Sequence, residues 1–392
     1  MKIGLFTDTY YPQINGVATS VLMLKENLEK LGHKVYVFTT SDPNVDIDEK
    51  NVLRVASLPF KSSRRVGMVY NPLLARKIKR LKLDIIHTNT EFSLGIFGRA
   101  MAWELDIPHL HTYHTIYEDY THYIVKFGFL DTIAKSAARR LSHIFCNSAD
   151  KVIVPTKKVK DLLLDYRVNK EIAIIPTGIN LDKYSRQNYH KEEILKIKKS
   201  LGINEDDKVI LYIGRLSEEK NIDELIDAMK IYLRDKLDTK FVLVGDGPDA
   251  ERLKSSVIDM GIENKTIFAG ERSWDEIGKY YQLGDVFVSS SQSETQGLTY
   301  IEALASGLPV VAKSDRCLDG VVLNDINGYT YNGMEEFLLY LDRILYNEQV
   351  KIRLSKEAEH SVEQFSALNF ALKIENQYRY LIRNSRLFKM VS

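Results

Sequence analysis

Two glutamates eight residues apart stand where a predicted strand gives way to a helix. Glu294 lies in a polar loop after the apolar run 286–289, and Glu302 lies about one turn inside the helix that begins near Gly297. The first amides of a helix favour a phosphate, and glycine lets a ligand approach the backbone closely. The pattern predicts a phosphate site with two carboxylates, of which Glu294 can face a sugar and Glu302 can hold ribose hydroxyls. Outside this setting the same pair is ordinary surface charge.

Two cations follow another predicted strand end. Arg215 and Lys220 come after the apolar run 209–213 and Gly214. Arginine can bind a diphosphate through a bidentate contact, and lysine can bind it as a point charge. For this motif alone, salt-bridged surface cations are an equally good interpretation. In the first half of the chain, Gly16 near a helix start can meet the same diphosphate from the opposite side.

Histidine is concentrated in the first half, where seven of the nine lie before residue 180. His111, His114 and His122 invite a zinc interpretation. We reject it because the predicted order of strand, loop and helix offers neither an i, i+4 pair on one helix nor a second cluster to complete four ligands. The sequence favours a core role for His111 and a functional role for His114, which follows a predicted strand end.

The elements that must position these residues alternate along the whole chain. Short apolar runs alternate with helix-length amphipathic segments, which predicts an α/β protein with parallel sheets covered on both faces. The predicted strands are 3–6, 35–39, 85–88, 144–147, 152–155, 172–175, 209–213, 241–244, 286–289 and 310–312. A polar stretch between residues 180 and 207 divides them. We therefore expect two doubly wound domains, 1–185 and 186–367, with ligands in a cleft at the carboxyl ends of their strands.

Length and composition agree with a two-domain enzyme. The chain has 392 residues, 44% of them hydrophobic and 27% charged, which excludes a small disulfide-stapled scaffold and a disordered chain. Its two cysteines form no disulfide framework and fit a reducing cytosol. The polar turn after residue 6 predicts no signal peptide, and no apolar run approaches a membrane span.

A charge asymmetry points to an anionic partner. The first 180 residues hold 25 basic and 18 acidic side chains, whereas the remainder hold 29 and 35. The segment 61–82 has no acidic residue, and Asn71 followed by Pro72 predicts a helix start. Leu73, Leu74, Ile78 and Leu81 would share an apolar arc of this helix and face lipid, as in an interfacial helix; the alternative is a surface helix whose leucines pack on the sheet. The predicted membrane-binding cations are Arg64, Arg65, Arg76, Lys77, Lys79, Arg80 and Lys82. Nucleic acid is disfavoured because no aromatic stacking stripe accompanies them.

Taken together, these motifs resemble the retaining glycosyltransferases of family 4, which have the GT-B fold of two facing Rossmann-like domains. Glu294 and Glu302 match the family's E-x7-E motif, Arg215 and Lys220 its phosphate-binding pair, Gly16 its N-terminal glycine loop and His114 its active-site histidine. The resemblance implies that the segment 296–299 binds the donor, and that a C-terminal helix near 368–392 completes the first domain. The implied donor-binding residues of that segment are Gln296, Gly297, Leu298 and Thr299.

Within the family, the runs 114–123 and 294–299 resemble the bacterial diacylglycerol α-glucosyltransferases, monotopic enzymes that use UDP-glucose. This likeness implies transfer of a hexose from a UDP-sugar to a membrane lipid at the cytoplasmic face. A metal is unnecessary if Arg215, Lys220 and the amides at 297–299 stabilise the leaving diphosphate. The only D-x-D motif, residues 46–48, lies in a polar loop and looks like chance. Another acceptor, a UDP-sugar epimerase and a non-catalytic surface-binding module stay open as alternatives, and the residues do not distinguish glucose from galactose or set the oligomeric state.

Overall fold

The computed structural model describes residues 1–13, 15–43, 45, 49–60, 64–67, 71–118 and 128–391. The chain forms two compact units, of which the first comprises Met1–Ile179 with Ala367–Ser392 and the second comprises Asn180–Ser366. The sequence places the corresponding boundaries near residues 185 and 368.

The first unit is a parallel sheet with helices on both faces. Its strands are β1 (Lys2–Phe6), β2 (Lys34–Thr40), β3 (Val52–Val55), β4 (Ser57–Phe60), β5 (Arg64–Gly67), β6 (Ile85–Thr88), β7 (His109–Thr112), β8 (Lys151–Val154) and β9 (Ile172–Ile174). Its helices are α1 (Gly16–Lys30), α2 (Pro72–Leu81), α3 (Ser93–Leu105), α4 (Gly128–Asn147), α5 (Lys157–Asp165) and α13 (Ala367–Val391). The parallel sheet has the order β3-β2-β1-β6-β7-β8-β9, and β4 and β5 form a separate antiparallel hairpin.

Two cores lie on opposite faces of this sheet. On one face Ile3 and Leu5 of β1 pack against α1 and α13, and on the other Phe6 packs against α2 and α3. Strands covered on both faces must be apolar throughout, which is why β1 reads as a nearly continuous apolar run. Helix α13 returns from the second unit and buries Phe370, Ile374 and other side chains in the core of the first.

The second unit is also a parallel sheet with helices. Its strands are β10 (Lys208–Ile213), β11 (Thr239–Val244), β12 (Thr266–Gly270), β13 (Val286–Ser289), β14 (Val310–Lys313) and β15 (Gly328–Tyr331). Its helices are α6 (Lys191–Ser200), α7 (Ile222–Tyr232), α8 (Ala250–Asp259), α9 (Ile277–Tyr281), α10 (Leu298–Ala305), α11 (Met334–Leu345) and α12 (Glu348–Ser361). The sheet is parallel, in the order β12-β11-β10-β13-β14-β15.

One predicted strand is wrong. The run 144–147 forms the last turn of α4 instead, where Phe145 and Cys146 are buried and Ile144 is exposed. A short apolar run looks the same at the buried side of a helix as in a strand, so its length alone could not decide between them. The predicted helix start is confirmed, because the Asn71 side chain accepts hydrogen bonds from the amides of Leu73 and Leu74.

Candidate active site

The candidate site of the second unit lies at the switch point of its sheet. Strands β10 and β13 are neighbours, but the chain continues from β10 towards β11 on one side and from β13 towards β14 on the other. The loops that leave their carboxyl ends diverge there, which is where open parallel sheets bind ligands. These two loops carry Arg215, Lys220 and Glu294.

Serine hydroxyls join the two loops. Ser290 donates to the carbonyl oxygens of Asn221, at 2.6 Å, and Lys220, at 3.2 Å. Ser293 donates to the carbonyl oxygen of Glu219 at 2.9 Å. Hydrogen bonds between neighbouring loops fix their backbones against each other, so the charged side chains that they carry are held in register before any ligand binds.

Lys220 was predicted to bind a diphosphate and Glu294 to face a sugar, and these two side chains are in contact. The Lys220 ammonium lies 2.5 Å from a carboxylate oxygen of Glu294, and the two side chains are only 15% and 20% exposed. Such a pair is screened by water far less than a surface pair. The structure thus places a positive and a negative group side by side at the strand ends.

A helix N-terminus opens next to this pair. Gly297 precedes α10 with φ of +73°, a left-handed conformation in which a side chain is strained, and an added Cβ would collide with the Tyr300 ring. The amides that follow Gly297, those of Leu298 and Thr299, are in the first turn, where helical amides lack partners within the helix. Gln296 is buried beside them, and Arg215 is partly exposed at the end of β10.

Glu302 lies one turn into α10 and is already held by the protein. Its carboxylate accepts a hydrogen bond from the Tyr281 hydroxyl at 2.7 Å and another from Tyr184. Burial raises the pKa of the Glu302 carboxyl, and these hydroxyls together with Lys183 offset part of that rise. A carboxylate has about four acceptor positions, so the two tyrosines fix its direction and leave capacity for ribose hydroxyls.

A cation that was not predicted from the sequence lies near Glu302. The Lys183 ammonium is buried without a hydrogen-bond acceptor among the described residues and lies 2.9 Å from the centre of the Trp274 ring. Burial lowers the pKa of Lys183 to about 8, although Glu302 and Asp275 act in the opposite direction. Lys183 belongs to the polar segment that follows the first unit, where no motif marks it; Trp274 is one of only two tryptophans.

In the first unit, Gly16 lies at an exposed helix start. It is the first residue of α1, and the Asn15 side chain caps that helix by accepting from the amide of Ala18 at 2.9 Å. The loop that leads to it begins at the carboxyl end of β1, beside β6 at the switch point of the first sheet. This position fits an anion-binding helix start.

His114 lies at the same edge, after β7. Its Nε2 atom is 3.1 Å from the amide oxygen of Asn89, which follows β6. Burial, together with the neighbouring His111, lowers the pKa of His114 to about 3, so its imidazole is neutral near pH 7. Asn89 was not among the predicted site residues, although it lies directly after the predicted strand 85–88.

The other histidines of this edge belong to a buried hydrogen-bond network. His111 lies 3.1 Å from a carboxylate oxygen of Glu91 and 2.9 Å from the Thr88 hydroxyl, and His87 lies 2.7 Å from the Tyr378 hydroxyl of α13. His122 lies outside the described residues. Within the part of the chain that the structure describes, no group of three or more histidine, cysteine, aspartate or glutamate side chains is arranged to hold a metal ion.

The predicted membrane helix is only partly as expected. Leu74 and Ile78 of α2 are buried in the core of the first unit, so the prediction that they face lipid is wrong. Leu73 is 74% exposed. The apolar arc of a helix that lies against a sheet faces that sheet first, and the sequence pattern alone does not distinguish the sheet from a bilayer. Within the described residues, no helix is both long enough and apolar enough to span a bilayer.

The cations of α2 nevertheless lie on the surface. Arg76, Lys77, Arg80 and Lys82 are exposed, whereas Lys79 forms an ion pair of 2.5 Å with Glu104 of α3. The side chains of Arg64 and Arg65 in β5, the residues 61–63, the D-x-D motif at 46–48 and the run 119–123 lie outside what the structure describes.

Comparison with known proteins identifies both units. The model of "Glycosyltransferase Family 4" matches residues 14–183, and that of "Glycosyl transferases group 1" matches residues 193–361. An α-monoglucosyldiacylglycerol synthase of Streptococcus pneumoniae is 40% identical over 96% of this chain and 85% of that protein. The Acholeplasma laidlawii protein of the same name is 38% identical over 99% of this chain and its own full length.

Solved structures show the fold. Anabaena HepE, in a crystal structure with UDP-glucose, is 19% identical with a TM-score of 0.75 and is matched over 97% of this chain and 100% of its own. A sucrose-phosphate synthase from Thermosynechococcus elongatus is 22% identical with a TM-score of 0.77, over 98% of this chain and 99% of its own. The expected GT-B fold class, with two Rossmann-like doubly wound units, is confirmed.

Proposed function

The chain belongs to glycosyltransferase family 4, and from that membership we propose that it transfers glucose from UDP-glucose to 1,2-diacylglycerol with retention at the anomeric carbon. The observation that carries this proposal is the 38–40% identity, over nearly the whole chain, with two α-monoglucosyldiacylglycerol synthases. A UDP-sugar donor is supported by solved structures of the same fold that hold UDP or UDP-glucose.

The positive groups of the second unit fit the needs of the leaving diphosphate. As the bond between sugar and phosphate breaks, negative charge grows on the phosphate oxygens, and fixed donors aimed at it lower the barrier. We assign this role to Arg215, to Lys220 and to the amides at the start of α10. These groups supply the charge that a metal would otherwise provide, so we propose that transfer needs no metal.

Glu294 and Glu302 take different parts of the donor. Glu294 is held by Lys220 at the strand ends, and we assign it to the sugar hydroxyls next to the phosphate. Glu302 lies further along α10, where Tyr281 and Tyr184 fix its carboxylate, and we assign it to the ribose. Diphosphate bound at Lys220 would share the ammonium with Glu294 and so connect the two parts of the donor.

His114 acts as a neutral group in this proposal. An imidazole whose pKa is about 3 is not protonated to imidazolium at pH 7 and is a poor base, so we assign His114 to hydrogen bonding of the sugar rather than to proton transfer. The contact with Asn89 fixes the orientation of the ring.

The lipid acceptor requires contact with a bilayer, and we propose that α2 provides it at the cytoplasmic face. The exposed cations Arg76, Lys77 and Arg80, called here the α2 cations, have no acidic partner among the described residues. Each basic residue near an anionic leaflet contributes about 1 kcal/mol, so three contribute roughly 150-fold in partitioning. We leave Lys79 out of this count because Glu104 pairs with it.

The test is transfer of radiolabel from UDP-glucose, UDP-galactose and UDP-N-acetylglucosamine to diacylglycerol in vesicles that contain phosphatidylglycerol. We expect label from UDP-glucose in a lipid whose anomeric proton shows the α configuration by NMR. The Glu294→Gln variant, which keeps the shape of the side chain, serves as the inactive control.

Three outcomes would contradict the proposal. Label that enters only a glycolipid or a polyol phosphate would show another acceptor. Interconversion of UDP-sugars without any acceptor would show an epimerase. No binding of any UDP-sugar in calorimetry would show a non-catalytic protein.

A further inference from the structure

The largest apolar side chain on the surface of the first unit is a tryptophan. Trp103, near the end of α3, is 87% exposed. Tryptophan is normally largely covered in a folded protein, because its ring offers more apolar area than any other side chain. An indole left in water at this degree of exposure needs an explanation in terms of what covers it.

Trp103 is part of a stripe along the outer side of α3. Phe92, which precedes the helix, and Ile96 are 39% and 37% exposed. The spacings of four and seven residues place Phe92, Ile96 and Trp103 on one side of a helix. The opposite side, with Phe97 and Met101, is buried in the core of the unit. The outer stripe is therefore a second apolar face, in addition to the one that the fold uses.

The stripe lies beside the α2 cations. Helices α2 and α3 share the same core, and the Lys79–Glu104 ion pair connects Glu104, the neighbour of Trp103, to α2. The exposed Leu73 lies on α2 as well. Apolar side chains and unpaired cations are thus presented side by side on two neighbouring helices.

We propose that the outer stripe of α3, centred on Trp103, inserts into the interfacial region of an anionic bilayer beside α2. The indole ring prefers the boundary between headgroups and acyl chains, where its apolar body is covered and its N–H stays hydrated. The cations provide attraction to anionic headgroups, and the stripe provides apolar contact. This inference rests on the proposed lipid-modifying function and identifies a second membrane element.

A second copy of the chain is a less suitable occupant. In a two-fold contact the same patch meets itself, so the α2 cations of both copies would be brought together, and Glu104 beside Trp103 is already paired with Lys79. An anionic leaflet removes that repulsion. The charge around the stripe therefore selects a negatively charged surface rather than a self-complementary one.

Fluorescence of Trp103 tests the proposal directly, because the chain has only one other tryptophan. In the full chain with Trp274→Phe, vesicles of phosphatidylglycerol and phosphatidylcholine should shift the emission to shorter wavelength. Phosphatidylglycerol brominated on its acyl chains should quench it. Binding to vesicles that yields neither the shift nor the quenching would overturn the proposal.

Sedimentation with the same vesicles gives an independent measurement on chains that keep Trp274. Trp103→Ala should weaken partitioning about tenfold or more, since a covered indole contributes at least this factor. Trp103→Phe should retain most of the binding. Leu237→Ala is the matched control, because Leu237 in the second unit is also 87% exposed and should have no effect.

Two results would refute the inference. In the first, Trp103→Ala partitions to vesicles as strongly as the parent chain. In the second, Trp103→Ala loses concentration-dependent self-association while its vesicle binding is unchanged, which would identify a second copy as the occupant. The vesicles contain neither diacylglycerol nor UDP-sugar, so a failure of the proposed transfer reaction would leave this measurement unaffected.

Discussion

The contact between Lys220 and Glu294 allows the roles of the two side chains to be separated. We consider Lys220→Met, Glu294→Gln and the double variant. The ammonium and carboxylate are 2.5 Å apart and mostly covered. In the proposed assignment, removal of Lys220 therefore takes charge from the diphosphate and also removes the ammonium that contacts the Glu294 carboxylate.

The magnitudes follow from this geometry. Each single change should lower kcat by about 10²–10³, the scale for one preorganised group that stabilises developing charge. If the two side chains acted independently, the losses would multiply to roughly 10⁴–10⁶. Contacting residues couple by about 0.5–3 kcal/mol, so we expect the double variant to be about twofold to 150-fold faster than that product.

The assay is the initial rate of glucose transfer to diacylglycerol in mixed vesicles, with UDP affinity measured separately by calorimetry. Lys208→Met is the matched control, because Lys208 forms an ion pair with Asp238 at the start of β10, away from the strand ends of the site. It should leave kcat unchanged. Losses in the double variant that equal the product of the single losses would refute the joint action of the pair.

Four further results are expected. Replacement of all three α2 cations by glutamate should lower binding to anionic vesicles at least 100-fold, because roughly 3 kcal/mol of attraction is lost. The same charge reversals at the exposed Lys196, Lys199 and Lys230 should not lower it, and equal binding by both variants would contradict the role of α2. Glu302→Ala should weaken UDP binding about tenfold or more, and an unchanged affinity would remove the ribose assignment. A chelator should leave the transfer rate unchanged, and its loss with recovery on adding magnesium or manganese would contradict the metal-free proposal. Below pH 6.5 the first unit should lose stability, because the buried His87 and His109 have lowered pKa values, about 3 for His109, and the unfolded chain takes up protons that the folded unit does not. Each of these two histidines lowers the free energy of unfolding by about 1.4 kcal/mol per pH unit until its pKa in the folded unit is reached. Hydrogen exchange that accelerates equally in the second unit, whose His190 and His360 are exposed, would contradict this loss of stability in the first unit.

The sequence predicted the sheets well, because a strand buried on both faces must be apolar. The runs 85–88 and 286–289 coincide with β6 and β13. The strands β3 and β15 were missed because each mixes polar with apolar side chains and so forms no continuous apolar run. The end of α4 looked like a strand because its apolar run is too short to show helical periodicity.

Residues of the candidate site were predictable where a motif follows a strand. Glu294, Arg215 and Lys220 all lie in loops that leave the carboxyl end of a strand, and this position is visible in the sequence. Their pairing was not, because the contact between Lys220 and Glu294 joins residues 74 positions apart. Lys183 could not be found either, since its burial against Trp274 depends on packing between segments that no local pattern connects.

The return of α13 to the first unit reverses the usual order of folding during synthesis. Residues 180–366 are contiguous and can complete their unit as they leave the ribosome, whereas the first unit lacks Phe370, Ile374 and Tyr378 of its core until translation has passed them. Until α13 has been synthesised, the apolar face that it covers on the first unit therefore stays exposed. Premature termination between residues 180 and 370 would leave the core of the first unit incomplete, although that unit was made first, and a fragment ending near residue 179 is a poor candidate for separate expression.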